Sequence, residues 1–471
     1  MKTKLGNIGK LIVILTVCIC FTISCDFSPK NVFHVNLNNE SIKPDNDENN
    51  PFFCQRKWSI VIYMAADNDL EFAALQDIYE MELSNINTDI VSVFMLVDTC
   101  NSLESSDIKK GNTKLYRLKT NKSEDCKTII SEEIICNELN LNEKNENNLN
   151  MASGNVLSNL LSFIIEKYPA EYFGMIMWGH GTGFRGQQIN YDSFKGFAYD
   201  DSFKNYMTLK QLVEALKISL KGRKLDFIGF DTCFSSEIEV MYELKDVANY
   251  SVGTEGLIYT SGWNYRDIFN NFENDKIKTP STLINNIIKT FSKEYSAVKK
   301  ASIGGIDLKK MNNYFLEFDK LLLDISHKIN SRKVRDDVIN ILFNNNIEKT
   351  ILYKYEGSDS DVYLDINSMI YNLVDYFYED KESIKKLNNY KNAFVDCVFN
   401  NWSSDKISCG LGVYFGSIKS GNLLESVHPE SYIKNDKVNQ LKFVQDSEGY
   451  VPSKENNGSL LNKLFYTTYK N

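Results

Sequence analysis

The sequence predicts an α/β fold with helices on both faces of a mostly parallel sheet. Short continuous apolar runs alternate with helical segments between residues 57 and 308, and short loops join them. Apolar runs without polar alternation read as strands buried on both faces. Repeated βα units require parallel pairing, with helices covering the sheet. Two of these runs end in residues able to do chemistry, His180 and Cys233.

The elements follow in order. Trp58–Ala66 (WSIVIYMAA) is a strand, β-branched in its middle. Leu70, Ala73, Ala74, Ile78, Met81 and Leu83 keep helical spacing, with Asp67 or Asn68 as cap. Ile90–Val97 is a second strand. Residues 101–150 are polar and end in an Asn-rich run, which reads as an exposed insertion. Val156–Tyr168 is a helix closed by Pro169, and Tyr172–Trp178 is a third strand. A helix over Thr208–Leu220, N-capped by Thr208, precedes a fourth strand at Leu225–Asp231. Ser235–Val247 is helical, with Ser235 or Ser236 as cap. Strands at Tyr250–Thr254 and Ile303–Leu308 flank a helix at Pro280–Lys299. From Lys309 the chain is mostly helical until a late strand at Leu411–Phe415. The expected organisation is 1–24 signal peptide, 25–56 tether, 57–308 α/β core, and 309–471 a helical region whose late strand completes the fold.

Met1–Lys10 carries Lys2, Lys4 and Lys10 and no acid, and Leu11–Ser24 is mostly apolar. A basic start and an apolar run shorter than the ~20 residues that span a bilayer read as an export signal. Thr22-Ile23-Ser24-Cys25 fits loosely a lipoprotein signal that would make Cys25 the lipidated first residue; ordinary cleavage after Ser24 is the rival. The protein is then exported, either anchored to a bacterial cell envelope or secreted. Asp26–Asn50 holds too few apolar side chains to offset chain entropy and reads as a flexible tether.

The 471 residues carry 53 Lys+Arg against 62 Asp+Glu, a net charge of −9. No basic surplus exists to neutralise phosphates, so nucleic acid is not an expected partner. Of the 10 Cys, none forms a CxxC pair, and with 4 His a zinc cluster is not expected. Cys126–Cys136 and Cys397–Cys409 are close enough in sequence to be disulfides outside the cytoplasm, although spacing does not decide pairing.

In an open parallel sheet the ligand crevice lies beyond the carboxyl ends of the strands. His180, bracketed by Gly179 and Gly181, and Cys233 both follow such ends. A thiol at the start of a helix near Ser235 would feel the positive end of its dipole, which favours thiolate. Together they suit nucleophilic acyl transfer, with backbone N–H groups near Gly181 and Cys233 holding the oxyanion. Taken singly, Cys233 reads as a small core hydrophobe and His180 as a loop residue. The other histidines are poorer candidates: His34 lies in the tether, His327 in a helical run and His428 beside a proline.

The segments YMAADNDLE, MIMWGHGTGF, FAYDDS and IGFDTCFSSEIEVMYEL together resemble clostripain-type cysteine peptidases, and GLGVYF is similar to a late strand of that family. The likeness spans Trp58–Phe415, with His180 and Cys233 53 residues apart. It implies a caspase-like three-layer α/β/α sandwich and endopeptidase activity, with His180 and Cys233 as the catalytic pair. It also implies protein or peptide substrates cut after Arg or Lys, with Asp231 at the pocket base. A carboxylate there would suit a basic side chain, while a helix cap is its structural alternative. Glu255 and Trp263 are expected cleft-lining residues, or else a surface acid and a packing aromatic. Some members cut themselves between the two motifs, which makes Lys195 the candidate here. Some depend on calcium. Asp200 and Asp201 could give oxygen ligands, yet adjacent acids are also ordinary on surfaces, and no metal or other cofactor is assigned. Phe234-Ser235 departs from the family pattern after the nucleophile. The alternatives to an exported Arg/Lys-directed enzyme are a peptidase of other specificity on the same fold, or a lipid-anchored binding protein without turnover.

Overall fold

The computed structural model describes residues 56–469, apart from 101–111, 122–127, 142–146, 185–195, 273–275, 344–351, 356–359, 379–380, 419–426, 429–431, 433–439 and 453–457. Cys25, Cys126 and Lys195 lie outside the described residues.

Strand β1 (Trp58–Ala66) is buried at every position. It is followed by α1 (Glu71–Glu82), β2 (Val91–Thr99), β3 (Thr113–Arg117) and β4 (Glu132–Glu133). Then come α2 (Gly154–Lys167), β5 (Tyr172–Trp178), β6 (Phe197–Asp200), β7 (Asn205–Met207), α3 (Leu209–Leu220) and β8 (Leu225–Asp231). The chain continues through α4 (Ile238–Leu244), β9 (Ala248–Gly253), α5 (Tyr265–Asn270), α6 (Pro280–Glu294) and β10 (Ser302–Asp307). Helices α7 (Met311–Lys328) and α8 (Arg332–Phe343) precede β11 (Leu352–Tyr355) and β12 (Ser360–Asp365). Helices α9 (Ile366–Phe377) and α10 (Lys381–Cys397) lead to β13 (Val398–Ser403), β14 (Gly412–Ile418) and β15 (Val427–His428).

The central sheet runs β13-β10-β9-β8-β5-β1-β2-β3-β4. Its middle, β9-β8-β5-β1-β2, is parallel throughout. Antiparallel strands flank it on both sides, β10 and β13 at one edge, β3 and β4 at the other. Side chains along β1 alternate between two cores: Val61, Tyr63 and Ala65 join α2, α3, α4 and α7, while Ile60, Ile62 and Met64 join α1, α5 and α6. This is an α/β/α sandwich.

The buried strands of the middle match their sequence signal, because a run apolar on both faces has only one place to go. The edges differ. Residues expected as a loose insertion supply β3, which pairs with β2 from Asp98↔Thr113 onward, and β4, which pairs with β3. The late strand, β14, does not join the central sheet. It pairs with β12 in a separate antiparallel sheet, β11-β12-β14-β15. Cys397 and Cys409, close in sequence, are both buried free thiols. Thr208 caps α3 as its sequence indicates, accepting from Gln211 N while the Gln211 side chain accepts from Thr208 N. Among the described residues no helix is long and apolar enough to cross a membrane.

Candidate active site

Strands β5 and β8 are neighbours, paired in parallel with Trp178 opposite Asp231. His180 and Cys233 each lie two residues past that pair, so both loops leave the sheet at the same height. The contact is close. A Cβ on Gly181 would stand 2.6 Å from the Cys233 carbonyl oxygen and 2.7 Å from Thr232 Cβ. Gly179, at φ +129°, sits against the Ala65 carbonyl. Only glycine lets the turn around His180 fit between the ends of β1 and β8.

His180, Gly181, Asp231 and Cys233 line one cavity of about 400 Å³, with Leu70, Trp178, Gly196, Leu257, Tyr259 and Gly262 among its other walls. The Cys233 thiol is half-buried, and its sulfur accepts a hydrogen bond from Ile258 N at 3.3 Å. Burial, and secondarily the charge of Asp231, push it up to about 11. The expected helix-dipole effect does not operate here. Helix α4 begins at Ile238, with Glu237 rather than Ser235 or Ser236 at its N-cap. Residues 232–236 instead form a turn in which Phe234 takes φ +48°, while Ser235 Oγ and Ser236 Oγ donate to Thr232 O and Gly410 O.

Sequence reasoning missed one residue at this site. Asp69 Oδ1 lies 2.6 Å from His180 Nε2. The carboxylate comes from the turn after β1, the strand paired to β5 on the side away from β8. Its side chain is 82% exposed, so the pair orients the imidazole more than it stores energy. The signal was available: Asp69 lies three residues past a strand end in AADND, one step further than His180 and Cys233 lie past theirs.

Asp231 is 4% exposed at the cavity base. Its Oδ2 accepts from Trp263 N at 3.1 Å and Tyr265 Oη at 3.0 Å, while Oδ1 receives no hydrogen bond. It caps no helix. Burial raises it to about 7, against partial relief from those two donors. A second buried acid, Asp77, accepts from Trp178 Nε1 at 2.7 Å, and its carboxyl is raised by burial and by Asp231.

The expected lining residues sit elsewhere. Glu255 is fully buried away from the cavity, with Oε2 accepting from Gly410 N at 3.1 Å beside Asp365 and Cys409. Trp263 packs its ring on Gly229, inside the core on the α5–α6 face. It serves the cavity only through the backbone N–H given to Asp231. Asp201 is exposed, whereas Asp200 is buried beside Asp67 and Asp98.

Residues 62–453 match the family model described as the clostripain family, Peptidase C11. The chain belongs to the clostripain family. Clostripain of Hathewaya histolytica is 25% identical over 237 residues, which is 47% of this chain and 42% of that protein. The chain thus matches less than half the length of that clostripain. Among solved structures, an inactive zymogen C11 protease from Parabacteroides distasonis superposes with a TM-score of 0.57 at 18% identity, over 83% of this chain and 98% of that one. A secreted C11 cysteine protease from Bacteroides thetaiotaomicron, in complex with an irreversible peptide inhibitor, gives 0.51 at 20% identity, over 76% and 89%. At such identities these are likenesses of fold. They agree with the caspase-like α/β/α sandwich that the clostripain motifs imply.

Two outcomes follow from this geometry. Alkylation of Cys233 by iodoacetamide should keep accelerating from pH 7 to 10, because the thiol near 11 ionises late; a plateau below pH 7 would instead mean a pre-formed thiolate. Asp69→Ala should lower kcat/KM roughly 2- to 5-fold, the scale of an exposed charge pair, with the melting temperature unchanged and partial rescue by Asp69→Asn. Full activity in Asp69→Ala would remove the residue from the site.

Proposed function

We propose that this clostripain-family protein is an exported cysteine endopeptidase that cleaves after Arg or Lys through Cys233 and His180. The single observation that carries the reading is the matched register of β5 and β8, with both side chains opening on one cavity above Asp231. The thiol is protonated at rest, so His180 must take its proton as the substrate carbonyl arrives. With Nε2 engaged by Asp69, Nδ1 is the ring nitrogen left for that transfer. The thiolate attacks the carbonyl carbon, backbone N–H groups of Gly181 and Cys233 receive the oxyanion, and the imidazolium protonates the leaving amine. Water then releases the acyl group from sulfur.

Asp231 is the group for the basic side chain. A buried carboxylate with an unoccupied oxygen gains most from a cation that desolvates with it. In this reading Asp231 must be ionised, so the advantage of arginyl or lysyl over alanyl substrates grows as pH rises through about 7, where this carboxyl titrates. Self-processing after Lys195 belongs to the same proposal: the next residue, Gly196, lines the cavity and gives its N–H to Thr182 Oγ1 at 2.8 Å. Export, with Cys25 as lipid anchor or with free secretion, rests on the basic-apolar N-terminus and on a Bacteroides relative described as secreted.

Fluorogenic arginyl, lysyl and alanyl peptides test the core of this. Wild type should cleave the basic pair, Cys233→Ala should lose at least 1000-fold, and Asp231→Asn should lose the basic preference; equal turnover by Cys233→Ala and wild type rejects the nucleophile. Mass spectrometry of purified wild type should reveal a cut after Lys195 that is absent in Cys233→Ala. A fully active uncut chain would show that processing is not required.

A further inference from the structure

Two large apolar side chains stand in solvent at the mouth of the Cys233 cavity. Leu257 is 58% exposed and Tyr259 60%, and both line the cavity together with Cys233 and Asp231. Single exposed apolar side chains are ordinary on a surface. These two are held in place by the segment that carries them, residues 257–262. Near its start, Ile258 N donates to Cys233 Sγ at 3.3 Å. At its end, Gly262 N donates to Tyr259 O at 2.9 Å, Tyr295 Oη donates to Gly262 O at 3.1 Å, and the next N–H, of Trp263, goes to Asp231. The Tyr259 ring lies nearly parallel to that of buried Tyr295, centroids 5.9 Å apart at 15°, and Tyr295 is stacked in turn on Phe291 at 4.0 Å and 7°. An apolar surface fixed on one side and wet on the other is already ordered for a ligand, which spares the entropy of arranging it.

The order of the strands says which part of a substrate meets this surface. Neighbours in the sheet run β9-β8-β5-β1, and residues 257–262 follow β9, Cys233 follows β8, His180 follows β5 and Leu70 follows β1. The sulfur therefore stands between the 257–262 segment and the imidazole. On the peptidase reading, His180 hands its proton to the leaving amine, so the residues after the scissile bond lie on the His180 and Leu70 side. The acyl half lies on the other side, along 257–262. Successive side chains of an extended peptide point opposite ways. When the basic side chain runs down to Asp231, its N-terminal neighbour stays at the mouth, beside Leu257 and Tyr259.

We propose that Leu257 and Tyr259 form a subsite for an apolar side chain on the residue immediately before the Arg or Lys. This rests on the peptidase reading and narrows its substrate class to peptides with a bulky apolar residue followed by a basic one. Leu, Val or Phe there covers exposed apolar surface on both partners. Glycine covers none. An acid does worse, because residues 257–262 (LIYTSG) carry no Lys or Arg to receive it, and its carboxylate would lose water without a partner. The subsite sorts substrates and takes no part in the chemistry at sulfur.

Four fluorogenic dipeptides test it: acetyl-Leu-Arg, acetyl-Gly-Arg, acetyl-Asp-Arg and, as the control for the basic pocket, acetyl-Leu-Ala. Wild type should favour the leucyl over the glycyl arginine peptide roughly 10-fold in kcat/KM, the scale of one apolar side chain in a pocket, and should cut the aspartyl peptide slowest. Tyr259→Ala and Leu257→Ser should each bring the leucyl-to-glycyl ratio down toward 1. The ratio is the readout, so a general loss of activity in either variant does not imitate the result, and the second variant stands if the first disturbs the turn at Gly262. A wild type that cuts the three arginine peptides alike, yet still prefers Leu-Arg to Leu-Ala, overturns the subsite and leaves the peptidase reading standing. A leucyl preference that survives in both variants overturns it by placing the selection elsewhere in the cavity. No cleavage of any arginine peptide overturns the subsite and the peptidase reading together.

Discussion

The parallel register between β5 and β8 is the constraint on which the rest depends. Ladder pairing puts Trp178 beside Asp231, and equal two-residue steps then put His180 and Cys233 in adjoining loops. A one-residue slip would reverse every side chain on β8, moving Phe227 and Gly229 off the α5–α6 face that Trp263 covers. The register is therefore held by the cores on both faces, and the site inherits its geometry from them. The glycines around His180 are a consequence: loops forced this close have no room for a Cβ.

Burial, not helix polarity, sets the charge states at this end of the sheet. A helix terminus offers a thiol roughly 0.3–1 kcal/mol, and only within its first turn. Moving the Cys233 thiol from about 9 to about 11 corresponds to about 3 kcal/mol in the opposite direction. The dipole loses even before the start of α4 at Ile238 is considered. The same imbalance runs through the acids nearby. Asp231 rises to about 7 and Glu239 to about 7, while Asp77, Glu237 and Glu255 are driven well up by burial. Glu237 has neither oxygen hydrogen-bonded, so it is comfortable only as the neutral acid. An acidic chain has folded many of its carboxyls inward, where they await a proton or a cation.

Much of this was legible in the residues, for a physical reason. Trp58–Ala66, Tyr172–Trp178 and Leu225–Asp231 have the bounds their composition indicates, since a strand buried on both faces over most of its length must be largely apolar. Short strands near or at the sheet edge carry no such signature, which is why Thr113–Arg117 and Glu132–Glu133 read as loop. Glu255 and Trp263 show a different limit. Both follow β9 in sequence, close to the nucleophile, but position along a loop does not say which way a side chain turns. Glu255 turns to Asp365 and Cys409, residues more than a hundred positions away. Asp67 and Asp98 were invisible as a pair for the same reason: what joins them is the β1–β2 ladder, in which Ala65 stands opposite Asp98.

The resting site is arranged to be quiet. The sulfur is protonated and half-buried, and the imidazole reaches solvent beside an exposed carboxylate whose pull water screens. None of these parts is strong while the cavity is wet. A ligand that fills it removes that water, and the pull of Asp69 on His180 then strengthens; on the reading proposed above, the backbone N–H groups on the developing oxyanion and Asp231 on a basic side chain gain in the same way. The chemistry is thereby tied to occupancy. On that proposed reading, a buried acid and a latent thiol that look like defects in the empty site become assets only when a basic substrate supplies the missing charge and excludes the solvent.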